Sequence, residues 1–103
     1  MGNVETQAAD ALERLRNDLR ATGRGDYIEL VEVHAANVAT FVTEPSRFVE
    51  KVVEDVQQHL QDEFIDTTWP ACPRHPNHPL NYTEGAWRCP SDGTQVAPLG
   101  ELR

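Results

Sequence analysis

The segment "DYIELVEVHAANVATFVTE", Asp26 to Glu44, decides what kind of body this 103-residue chain builds. Tyr27, Ile28, Val31, Val33, Val38, Thr40, Phe41 and Val42 are residue types that favour strands, and "HAAN", His34 to Asn37, offers a place to turn. Because β-branched residues dominate, the segment is expected to form a two-stranded hairpin. The alternative is a helix: Ile28, Val31, Ala35, Val38 and Val42 also trace a stripe at three- and four-residue steps, and Asp26 with Glu29 resembles a capping box.

The flanks on either side are plainer. Upstream, Ala8, Ala11, Leu12, Leu15 and Leu19 recur at helical spacing among Asp10, Glu13, Arg14, Arg16 and Arg20, which predicts an amphipathic helix from Val4 to Thr22. Asp10 and Arg14 stand four residues apart and are placed to pair, while Gly23 and Gly25 supply the backbone freedom to end the helix. Downstream, Val49, Val52, Val53, Val56, Leu60 and Phe64 form one apolar face of a helix from Pro45 to about Phe64, with Glu50, Lys51, Glu54, Asp55, Gln58 and Gln61 opposite. Thr43 or Ser46 can cap it, and Pro45 is tolerated only in the first turn. Residues 1–68 are therefore expected to be an acidic helix–hairpin–helix body, with a three-helix body as the alternative, in a chain of α+β class.

Past the body, "WPACPRHPNHPLNYTEGAWRCPSDG", Trp69 to Gly93, holds both cysteines and two of the four histidines, and five of the seven prolines lie between Pro70 and Pro90. Cys72 and His75 are separated by two residues, so one tight turn can direct both side chains at a common point; His78 follows, and Cys89 lies further on. Two thiolates and two imidazoles make the tetrahedral N/S set that zinc prefers. Cys72, His75, His78 and Cys89 are the expected ligands, with Asp92 as the alternative fourth. Between the two halves, "LNYTEGAWRC" alternates into Glu84-Gly85 and out through Trp87, the pattern of a hairpin. A Cys72–Cys89 disulfide is the lesser reading, because nearby histidines suit a metal and a chain without an export signal should keep its thiols reduced.

Residues 69–97, through "CPRH" and "CPSDG" followed by "TQV", resemble a zinc ribbon, with Asp92 standing where the second ribbon turn usually offers a cysteine. The same tail is similar to the ending of a group of small bacterial proteins in which a helix runs into a WP-x-CP-x-H segment. The resemblance implies a C-terminal β module, residues 69–103, stapled by structural Zn(2+) and packed on the body as one unit. It implies no activity.

Charge narrows the classes further. The formal charge is −8, and residues 1–70 carry 14 Asp/Glu against 6 Lys/Arg, whereas residues 71–103 carry 3 of each. An acidic surface repels phosphates, and Arg74, Arg88 and Arg103 are too few to track a nucleic-acid backbone, so nucleic acid is disfavoured as a partner. No apolar run approaches the roughly 18 residues of a membrane span, and Met1 to Arg20 lacks the order of a secretory signal, so the expected location is cytoplasmic. "RGD" at Arg24 to Asp26 reads as a turn, and "NYT" at Asn81 to Thr83 as a strand, since both adhesion and glycosylation need export. His59 reads as a boundary residue of the third segment and His34 as a turn or strand end. Trp69 and Trp87 read as cover for a module too small to build its own core.

The leading expectation is a non-enzymatic zinc-binding protein that engages another protein through its acidic surface or its ribbon. The alternatives are a zinc enzyme with an open coordination position and Glu84 or an unbound ligand as base, and an acidic inhibitor of a basic groove. The chain carries no HExxH, nucleophile elbow or phosphate-binding glycine loop.

Overall fold

In the computed structural model, which describes residues 3–102, the segment from Asp26 to Glu44 holds a helix and no hairpin. The order is α1 (Asn3–Ala21), a single 3-10 turn (Gly25–Tyr27), α2 (Glu29–Val38), α3 (Pro45–Asp62), then β1 (Ala71–Cys72), β2 (His75–Pro79), β3 (Asn81–Thr83), β4 (Ala86–Arg88) and β5 (Gln95–Pro98). Three helices followed by antiparallel strands make an α+β chain whose body takes the alternative, three-helix form. Among the described residues, no helix is long and apolar enough to cross a membrane.

The hairpin expectation fails on burial. Strand alternation would put Val31 and Val33 on one face, yet Val31 is fully buried and Val33 is 55% exposed. The helical stripe is the one obeyed: Val31 and Val38 sit in the core, with Ile28, Ala35 and Val42 packed against it. β-branched residues cost a helix only a few tenths of a kcal/mol each, whereas burying a valine returns about 1.5 kcal/mol or more, so packing overrides propensity. Asp26 and Glu29 form no capping box; Ile28 occupies the N-cap without a side-chain bond.

α1 runs as expected, with Asp10 and Arg14 paired at 3.0 Å. Gly23 takes φ 81° just past its end, where Arg24 N donates to Leu19 O at 2.7 Å. α3 begins on Pro45, but neither Thr43 nor Ser46 caps it: Glu44 is the N-cap, and the Ser46 hydroxyl donates to the Glu44 side chain instead. Phe64 leaves the apolar face altogether. It adopts φ 56° and is 86% exposed while Ile65 N and Asp66 N both donate to Leu60 O, so it fills the left-handed stop position that glycine usually takes.

The strands form two small antiparallel sheets, β1-β2 and β3-β4-β5. Glu84 and Gly85, at φ 53° and 81°, make the two-residue turn between β3 and β4, and across it Tyr82 faces Trp87. The Trp69 and Trp87 indoles are buried and meet edge to face with centroids 5.6 Å apart.

One core joins helices to strands, running from Leu15 and Leu19 through Val52, Val56 and Leu60 to Trp69, Leu80, Trp87 and Leu99. Its polar centre is Asp18 on α1, which has no exposed surface. Asp18 Oδ2 accepts from Trp87 Nε1 at 2.8 Å and from Gly100 N at 2.7 Å, and Oδ1 accepts from Leu102 N at 3.0 Å. One turn on, Thr22 Oγ1 accepts from Trp69 Nε1 at 2.7 Å. Gln57 on α3 donates to Trp69 O and Leu80 O, and Arg24 pairs with Asp66 at 2.8 Å. These contacts tie β4, and the segments that flank β1, β3 and β5, to the helices.

Two substitutions test this junction by urea denaturation. Asp18→Ala strands one buried and two partly buried donors, and with charged-acceptor bonds and orphaned donors each worth about 1–3 kcal/mol, a loss of about 3–5 kcal/mol is expected. Gly100 has φ 95°, and a Cβ there would lie 2.8 Å from Arg14 Cβ. Gly100→Ala is expected to cost about 1–3 kcal/mol through backbone strain and that clash. Losses below about 0.5 kcal/mol, the range of a neutral surface change, would show that the contact is not what holds the two parts together.

Candidate metal centre

Cys72 closes β1 and His75 opens β2, with Pro73 and Arg74 as the turn between them, so the two ligand-bearing residues face each other as strand partners. Cys89 arrives from the other sheet, immediately after β4, at the start of a second turn in which Cys89 N donates to Thr94 O and Gly93 N donates to Cys89 O. The two turns meet. His75 Nδ1 lies 3.7 Å from Cys72 Sγ and 3.5 Å from Cys89 Sγ, and the three donor atoms all fall within 4.8 Å of one another. Both cysteines are free thiols in the core, 0% and 1% exposed, and His75 is half-buried. A Cys-His-Cys group of this kind can hold a metal ion.

The other two candidates stand outside the cluster. β2 is strongly bulged: Ala71 faces Pro79 while the next residue, Cys72, faces His75, which leaves Pro76, Asn77 and His78 without partners on β1. His78 lies in this exposed bulge, so close sequence spacing does not become spatial convergence. Asp92 is committed elsewhere. Its carboxylate receives Arg74 Nη2 at 2.7 and 3.0 Å and the Thr94 backbone N–H at 2.9 Å. Those contacts, Thr94 first and then Arg74, hold its carboxyl well below the usual carboxylate range. Arg74 belongs to the first turn and Asp92 to the second, so this ion pair bridges the two turns beside the cluster.

Electrostatics at Cys89 favour the thiolate. Backbone N–H groups of Asp92 and then Ser91 pull its pKa below the ordinary thiol value against the opposing effect of burial, with Cys72 and Arg74 adding to the same direction. A thiol must lose its proton to bind a metal, so amides aimed at the sulfur prepare it for that role. Trp69 and Trp87 are buried in the same core as Cys72 and Cys89.

The sequence pointed at this cluster through Cys72-x2-His75 and Cys89, but it gave no sign that Asp92 would be paired with Arg74. In chelator-treated protein, His78→Ala is expected to change unfolding free energy by no more than about 0.5 kcal/mol, as for other exposed positions. Cys72→Ser puts a hydroxyl into a fully buried site and should cost about 1–3 kcal/mol; equal effects for both variants in urea melts would mean that His78 packs more closely than its exposure indicates. The chain matches no protein-family model, no curated protein and no solved structure, so what is known of the site comes from its own geometry.

Proposed function

We propose that this chain is a non-enzymatic protein whose C-terminal strands are clamped by a structural zinc ion on Cys72, His75 and Cys89, and which serves as an interaction module for another protein. The observation that carries the reading is the separation of the donor atoms. With Zn–S of about 2.3 Å and Zn–N of about 2.0–2.1 Å, sulfur and nitrogen on a tetrahedral ion stand about 3.6 Å apart. The His75 Nδ1 separations from the two sulfurs are 3.7 and 3.5 Å. Imidazole with two thiolates suits zinc better than the oxygen-seeking cations. Zinc would join the two turns across the sheets, in a strand region whose longest strand has five residues.

Burial of both thiols supports a structural role, since a catalytic ion needs an open, substrate-reachable face. His78 is the proposed fourth ligand, because it is exposed and free to swing, whereas Asp92 would first have to leave Arg74. The partner's chemistry follows from the surplus of eight negative charges, which steers the chain toward a basic protein surface and away from nucleic acid.

One observation favours a second reading. Three converging protein donors are also the complement of a catalytic zinc site, which keeps water in the fourth position. The bases available to such an enzyme are poor, however: Asp92 is held by Arg74, and Glu84 stands at the hairpin turn, at the far end of β4 from Cys89.

Metal analysis by mass spectrometry on protein purified without a polyhistidine tag, followed by zinc X-ray absorption, tests both. One zinc per chain is expected, lost in Cys72→Ser and Cys89→Ser and released on acidification as protons compete for thiolate and imidazole. A shell of two sulfurs and two nitrogens, reduced by one nitrogen in His78→Ala, is the expected result; a water oxygen in place of that nitrogen favours the enzyme. Protein free of metal after purification, and unable to take up zinc, overturns both readings.

A further inference from the structure

The α2–α3 interface carries a second pair of ligand-grade side chains that the strand region does not involve. His34 projects from the middle of α2 and His59 from the last turn of α3, and both are half-buried. His34 Nε2 lies 3.3 Å from His59 Nδ1, with ring centroids 5.3 Å apart and planes inclined by 75°. In sequence His34 reads as a turn or strand end and His59 as a boundary residue; the helix Glu29–Val38 is what brings them together.

Two readings of that contact differ in geometry. In a straight N–H···N hydrogen bond of this length, the ring centres would stand about 5.6 Å apart, because both ring axes lie along the bond. If instead both nitrogens aim at one tetrahedral ion about 2.0–2.1 Å from each, the nitrogens stand about 3.3 Å and the centroids about 5.2 Å apart. The observed 3.3 and 5.3 Å fit convergence on one ion, as they also fit a bent hydrogen bond.

The surroundings favour a cation. His34 and His59 line a hollow of about 220 Å³ together with Asp55, Gln58, Asp62 and Glu63. Asp55 precedes His59 by four residues and so shares its helix face. It pairs with Lys51 at 3.1 Å, a partly exposed contact of the kind that exchanges at little cost. Carbonyls at the end of α3 add the negative pole of the helix dipole, at the turn that carries His59.

We propose that His34 Nε2 and His59 Nδ1 form a second divalent transition-metal site that clasps α2 to α3, with the Asp55 carboxylate turning from Lys51 to supply a third donor. The site takes ions that accept imidazole, zinc foremost among them, and is weaker than the thiolate cluster because its ligands are neutral nitrogens and one partly buried carboxylate. It does not depend on what the cysteine cluster binds. Site-specific histidine signals keep the two apart.

The test is a Zn(2+) titration of the full chain, without a polyhistidine tag, followed by NMR of the histidine ring resonances and by calorimetry. A binding event that shifts the rings of His34 and His59 and leaves that of His75 in place is expected. His34→Gln and His59→Gln should each weaken this event at least tenfold, and Asp55→Asn about three- to tenfold, while helical circular dichroism stays at the parental level. Using both histidine variants guards against one of them disturbing the interface. Absence of any ring shift at His34 and His59 up to millimolar zinc overturns the proposal. So does a shift at those rings whose affinity is unchanged in Asp55→Asn and in both glutamine variants.

Discussion

Asp18 is the constraint around which the two parts of this chain are arranged. A carboxylate with no exposed surface is tolerated only when its oxygens are fully engaged, and here a tryptophan indole and two backbone amides aim at it. The donors come from β4 and from the segment after β5, so α1 and the strands cannot separate without stranding all of them at once. Trp69 on Thr22 repeats the device just past the end of the same helix. Apolar contact between the parts is non-directional, whereas these bonds fix which residue of α1 meets which strand.

That arrangement sets the frame in which the cysteine cluster forms. Trp87 is held by Asp18, and Cys89 follows it by two residues, so anchoring the indole also fixes where the second thiol starts. Gln57 holds the chain at Trp69 and Leu80, the residues that bracket the turn carrying Cys72 and His75. The two turns are therefore carried to each other by the helices, and the Arg74–Asp92 pair adds a tie on the outer side. On this view, the metal proposed above completes a site that the helical body has already brought together, and metal binding and folding are coupled through the same few residues.

What was legible in the sequence follows from what kind of signal each element rests on. α1 and α3 were read from long periodic stripes, and the Glu84-Gly85 turn from backbone chemistry that two residues carry alone. Segment 29–38 misled because its β-branched content is a local preference, while its fate was decided by a face of α3 that needed covering. His78 stands outside the three-residue cluster for a different reason: a spacing of three residues brings side chains together on a turn but not on a bulged strand. Asp18 was overlooked although its sign was present. It falls between Leu15 and Leu19 on the apolar stripe of α1, and a charged residue in that place announces a buried partner without saying which.

The reach of the Asp18 bonds has a consequence for how the protein is made. Its acceptor is complete when residue 18 has been synthesised, but its last donor, Leu102 N, is 84 residues further on. At a ribosomal rate of about 5–20 residues per second, α1 waits roughly 4–17 seconds for that donor. During this interval its leucine face has only the partial cover of α2 and α3, and the carboxylate stays in water. Until residues 100–102 emerge, the N-terminal helix of the nascent chain stays unfinished and open to chaperones and proteases.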